Sequence, residues 1–124
     1  MPSGAIEWIE FPAPHPAVLA AFYEAVFGWE IKEYHEPPFL FTDSAGRVRG
    51  GFTTNLNPMA EYGIMVSITV DDIDATVADA QRYGGEVVLE RVDLPDGAGS
   101  FASIRDPAGN RVSLYQGDIA ALGT

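Results

Sequence analysis

Hydrophobic positions along the chain follow two periods. From Pro16 to Phe27, residues Val18, Leu19, Phe22, Tyr23 and Val26 recur at helical spacing, which predicts an amphipathic helix. Pro16 suits the first helical position, where its missing N–H costs nothing, and Gly28 supplies a C-terminal stop. A second helix is predicted from about Asp72 to Tyr83, with Ile73, Val77, Ala80 and Tyr83 on one stripe and Gly84-Gly85 behind it. Asp71, Asp72 and Asp74 can cap that helix and favour its positive N-terminal end. Strand-like runs surround both helices. Ile6–Phe11 precedes the first, and Trp29–Tyr34, Phe39–Thr42 and Arg47–Thr53 follow it. Ile64–Val70 precedes the second, and Glu86–Val92, Ser100–Arg105 and Arg111–Gln116 follow it. The order is βαβββ, twice.

The repeat extends to residue identity. Phe27-Gly28 matches Tyr83-Gly84, and Glu30-Ile31 matches Glu86-Val87. Asp43-Ser44-Ala45-Gly46 matches Asp106-Pro107-Ala108-Gly109, each between two strand runs, where Asp and Gly supply turn chemistry. A chance match between two common turns is the alternative, and the shared element order weighs against it. The predicted fold class is α+β, two βαβββ modules in tandem. A single domain over 1–124 divides into module 1 at about 5–55, a connector at about 56–63 containing Asn57-Pro58, and module 2 at about 64–117.

Charge narrows the partners. Lys+Arg is 7 against Asp+Glu 18, a net charge of −11, and the acids are spread over both halves. Such a surface repels phosphate backbones and anionic headgroups, so neither nucleic acid nor an acidic membrane is an expected partner. With no cysteine, disulfides, thiolate metal sites and cysteine nucleophiles are excluded. No secretory signal pattern and no stretch of the roughly 18–20 apolar residues needed to span a bilayer is present, so a cytoplasmic protein is expected.

Three motifs in order resemble the vicinal-oxygen-chelate superfamily, which includes glyoxalase, bleomycin-resistance protein and extradiol dioxygenase relatives. Phe22-Tyr23-x-x-x-Phe27-Gly28-Trp29 resembles its FYxxxxG(W/F) signature. Val70-Asp71-Asp72-Ile73-Asp74 resembles the junction opening its second module, and Asp106-Pro107-x-Gly109-Asn110 its last hairpin. The resemblance implies curved mixed sheets forming a half-barrel cavity, within one chain or between two, and often a homodimer.

In catalytic members the resemblance implies a divalent ion held by His and Glu at four strand positions, the nitrogen and oxygen donors such ions require. Carried over one at a time, those positions are Trp8, Ser67, Ser113 and, by internal symmetry, Gly50. These do not make a metal site, so no metal, no cofactor and no catalytic residue is expected. The two histidines, His15 beside the first helix and His35 after a strand, match no metal spacing and read as structural or exposed. Arg47 and Arg49 alternate on one strand and could hold an anion, although pairing with the abundant acids is the favoured reading. G-x-S-x-G, phosphate-loop and H-E-x-x-H motifs are absent.

Strand alternation groups Trp8 with Glu10, Ser67 with Thr69, and Ser113 with Tyr115. If the sheets face each other as the resemblance implies, these six line a pocket suited to an unknown small organic molecule. Alternatively, Trp8 and Tyr115 simply plug the core, and Glu10 is a solvated carboxylate. Three functions follow: a metal-free small-molecule binding protein; a metal-dependent lyase, isomerase or dioxygenase with unorthodox ligands including Glu10; or a partner domain with a filled core.

Overall fold

In the computed structural model, residue 6 and residues 8–54 and 65–118 are described. The connector expected at 56–63 lies outside them. The chain divides into two compact units, Met1–Pro58 and Met59–Thr124.

In the first unit, β1 (Trp8–Pro12), α1 (Pro16–Phe27), β2 (Glu30–Glu33), β3 (Phe39–Thr42) and β4 (Arg49–Thr53) follow the predicted order. The strands form one mixed sheet, β1-β4-β3-β2, with β1 and β4 parallel and the other pairs antiparallel. Pro16 opens α1, His15 occupies the N-cap without a side-chain cap bond, and Gly28 ends the helix in the left-handed conformation. The buried stripe of α1 is Leu19, Ala20, Phe22 and Tyr23. This corrects the predicted face, because Val18 is 56% exposed. Ala20, at the opposite edge of the stripe, is buried instead.

The core of this unit is aromatic. Phe11 meets Tyr23, Trp29, Phe41 and Phe52 edge-on, with ring centroids 5.1 to 5.9 Å apart. Tyr23 stacks on Trp29 at 4.6 Å and on Phe52 at 5.6 Å. Such pairs contribute roughly 0.5–1.5 kcal/mol each beyond the area they bury. Arg47, expected in a strand, lies in the turn before β4, where its N–H donates to Asp43 Oδ1 at 2.8 Å.

The second unit repeats the pattern with β5 (Val66–Thr69), α2 (Ile73–Arg82), β6 (Glu86–Asp93), β7 (Ser100–Arg105) and β8 (Arg111–Gln116). Its sheet runs β5-β8-β7-β6, with β5 and β8 parallel. Asp72 caps α2 by accepting from the Ala75 N–H at 3.1 Å, and the Ile73 N–H donates to Gln116 Oε1 at 2.8 Å. Ile73, Ala80, Ala102, Ile104, Val112 and Leu114 form an aliphatic core. Tyr83 is the C-cap of α2 and 49% exposed, so it does not continue the buried stripe. Among the described residues, no helix is long and apolar enough to cross a membrane.

Candidate functional site

Each sheet has a helix face and a far face, and strand alternation assigns every candidate to one of them. In the first unit, Phe11, Phe41 and Phe52 pack with Tyr23 and Trp29 on the helix face. Trp8 and Glu10 therefore stand on the far face, where both are exposed, Trp8 by 49%. Pairing between β1 and β4 sets Arg49 beside Trp8 and Gly51 beside Glu10. Arg49 has no ion pair among the described residues. Pro37 covers Gly51, and a Cβ there would meet the proline ring at 2.6 Å.

Gly50 is on the other face. A Cβ at Gly50 would strike the Phe41 ring at 2.7 Å and the Ile9 carbonyl, so the close approach of Phe41 requires a glycine. The symmetry argument that placed Gly50 with Trp8 is thereby corrected. On the far face, the residue that pairs with Trp8 is Arg49.

In the second unit, Val112 and Leu114 are buried on the helix face, which leaves Ser113 and Tyr115 on the far face. The β5–β8 register pairs Ser67 with Ser113 and Thr69 with Tyr115. Ser67 and Thr69 are exposed, and Ser113 is half-buried, its hydroxyl donating to the Ala102 carbonyl at 3.3 Å. Tyr115 is 4% exposed. Its hydroxyl donates to the Ala98 carbonyl at 2.6 Å, and its ring lies against Gly99 and Gly117, where a Cβ would come within 2.8 Å of the phenol oxygen. The Tyr115 phenol thus ties the loop between β6 and β7 to the sheet. Within its own unit, each predicted pair shares a face. Ser103 of β7, which sequence reasoning passed over, faces Ser113 across the sheet. Alternation carried back from Arg105 through Ser103 would have found it.

The donor set does not suit a divalent metal. Trp8, Gly50, Ser67 and Ser113, at the positions that the resemblance assigns to His and Glu, carry no imidazole and no carboxylate. Among the described residues, no three His, Cys, Asp or Glu side chains gather as a metal-holding group. His15 and His35 are both exposed, and the His35 ring sits 5.1 Å from that of Tyr34.

A separate groove of about 340 Å³ runs on the helix side of the second sheet, between α2 and β6, past Ile73, Val77 and Val87. Within it, Arg91 pairs with Asp74 at 3.1 Å and with Asp93 at 3.0 Å. The Ser100 hydroxyl, donating at 2.6 Å, is the main cause that lowers the Asp93 carboxyl below its ordinary value, with Arg91 adding to it. None of the predicted site residues lies in this groove.

The glyoxalase-like domain family matches residues 8–115. A protein named "Putative glyoxylase CFP32", from Mycobacterium bovis, is 29% identical over 91% of this chain and 46% of its own length. The anthracycline biosynthesis protein DnrV of Streptomyces peucetius is 27% identical over 91% of the chain and 47% of its own. The chain thus spans about half the length of the curated relatives it matches. Among solved structures, a glyoxalase/bleomycin resistance protein from Albidiferax ferrireducens aligns with a TM-score of 0.71 at 17% identity, covering 91% of this chain and 98% of that one. Lactoylglutathione lyase from Agrobacterium tumefaciens aligns with a TM-score of 0.65 at 23% identity over the whole of both chains. From the motifs, the repeated βαβββ topology and the matched span, the chain belongs to the glyoxalase-like domain family.

Proposed function

We propose that this protein binds a small organic molecule without a metal ion, on the far face of its first sheet. The observation that carries the reading is Trp8. At a strand position where metal-dependent relatives would supply an imidazole, the chain presents a half-exposed indole, with Glu10 exposed on the same face. An indole offers stacking and cation–π contact worth roughly 0.5–2 kcal/mol, and a neighbouring carboxylate can accept a charge-assisted hydrogen bond of ~1.5–3 kcal/mol. The reading takes the protein to act in the cytoplasm on a neutral or cationic ligand, in keeping with a net charge of −11. One relative is named for anthracycline biosynthesis, which concerns an organic small molecule and agrees with the class of ligand proposed.

The alternative, a metal-dependent lyase, isomerase or dioxygenase, draws on the names of relatives such as the glyoxylase and the lyase. It would require an ion on Glu10 with ligands that the described residues do not gather.

The test is fluorescence. In a Trp29→Phe background, where Trp8 is the remaining indole, benzylamine and benzamide serve as cationic and neutral aromatic probes. Saturable quenching that disappears in Trp8→Ala supports the reading. No saturable change with either probe, together with a large stability loss in Trp8→Ala, overturns it. We also propose a homodimer, because small units bury a limited fraction of their surface and two-fold association is the commonest remedy. Light scattering should then return about twice the chain mass of 13.3 kDa, and the monomer mass at micromolar concentration contradicts it.

A further inference from the structure

The far face of the second sheet carries a charge arrangement that the Trp8 reading does not use. Strands β7 and β8 pair Arg105 directly with Arg111, and one step along the same face they pair Ser103 with Ser113. A step further, Phe101 faces Tyr115. Side chains directly opposed on one face have their Cβ atoms within about 5.5 Å, so two guanidinium stems rise side by side, and like charges so placed destabilise a sheet.

Acids are plentiful in this chain, 18 against 7 bases, yet among the described residues none forms an ion pair with either arginine. Arg82 and Arg91 both hold aspartates. Arg105 and Arg111 form no ion pair among the described residues, although Glu86 stands in register with Arg105 on β6. Arg105 instead donates from Nη1 to the Gly109 carbonyl at 2.8 Å, which fixes its guanidinium against the hairpin. The Nε of Arg111 is buried and has no hydrogen-bond acceptor. Two like charges held side by side are costly, and an oxyanion seated between the two guanidiniums offsets their repulsion.

We propose that Arg105 and Arg111 form an oxyanion site for an organic acid, its carboxylate or phosphate head on the two guanidiniums. Half-buried Ser113 then meets the polar part of the molecule next to the head, and half-buried Phe101 its apolar body. All these residues belong to the second unit, so the proposal stands or falls separately from the reading of Trp8.

The test follows the arginine Nε–H signals in ¹⁵N-labelled protein; burial of the Arg111 Nε slows its exchange and keeps its signal observable. Phenylacetate and phenyl phosphate are the probes, and phenylacetamide is the uncharged comparator of the same shape. Either anion should shift the Arg105 and Arg111 signals saturably, and the tighter of the two identifies the head. Arg111→Gln should weaken binding about tenfold or more, the worth of a charge-assisted contact, while Arg49→Gln in the other unit leaves it unchanged. If Arg111→Gln fails to fold, Arg105→Lys, which keeps the charge and loses the fork, should show the same direction of loss. Shifts from phenylacetamide as large as those from phenylacetate overturn the proposal. So does the absence of a shift with either anion up to its solubility, or equal weakening by Arg49→Gln.

Discussion

The two units share a topology and almost nothing of their interiors. In the first, Phe11, Tyr23, Trp29, Phe41 and Phe52 interlock ring to ring; in the second, Ile73, Ile104, Val112 and Leu114 fill the corresponding helix face with branched aliphatics. Strand order, the parallel outer pair and the helix position are nonetheless the same. The shared part lies in the turns. Asp43 Oδ1 accepts from the N–H groups of Arg47 and Val48, and Asp106 Oδ1 from those of Ala108 and Asn110. In both turns the glycine N–H closes onto the aspartate carbonyl at 2.9 Å. Turn chemistry and apolar period specify this topology, and the identity of the apolar residues is left free so long as they fill the space.

The comparison breaks most readily in the cores. Phe11→Ala removes a ring that touches four others and should cost ~3–5 kcal/mol, whereas Leu114→Ala should cost ~2–5 kcal/mol. Urea unfolding of the two variants measures both losses. A Phe11→Ala loss below 1 kcal/mol would contradict the aromatic cluster as the first unit's core.

The turns separate the units next. Asp106 is 3% exposed and also accepts from Asn110 Nδ2 at 3.0 Å, whereas Asp43 is half-buried. Asp106→Ala leaves buried donors unmatched and should cost roughly 1–3 kcal/mol, and Asp43→Ala roughly 1 kcal/mol or less. Equal losses would mean that the two hairpins are energetically alike despite the difference in burial.

Smaller still is the stability effect of Trp8→Ala. A side chain 49% exposed on the far face should cost under ~1 kcal/mol, far less than a core ring. A loss in the range of Phe11→Ala would make Trp8 a plug.

The smallest effect is electrostatic. Asp93 titrates below its ordinary value because Ser100, then Arg91, stabilise its charged form. A depressed folded-state value contributes stability above the unfolded value, and that contribution is lost as pH falls through the folded one. In an NMR titration, Ser100→Ala should move Asp93 back up toward 3.8, its ordinary value. An unchanged midpoint would leave the hydrogen bond without influence.

Much of this fold was legible in the sequence because its signals are local. Pro16 and Gly28 bound α1, and β3, β7 and β8 fall on the predicted residues. What escaped is relational. Gly50 looked equivalent to Ser113 by counting, but sheet register, set by Phe41 packing on a bare backbone, turns it to the helix face. Val18 and Leu19 are equally apolar, and only the docking angle of α1 decides which is buried. For Tyr115, alternation gave the face but could not reveal that Ala98 would take its hydroxyl. The Arg105–Arg111 pair became visible only when β7 and β8 were aligned.

The central proposal is that this member of the glyoxalase-like domain family holds an organic ligand without a metal. Elemental analysis of protein purified without chelators tests it most directly. The account predicts well under one Zn, Ni, Mn or Fe per chain and a melting temperature unmoved by EDTA. About one ion per chain, removed by EDTA with loss of stability, would contradict it.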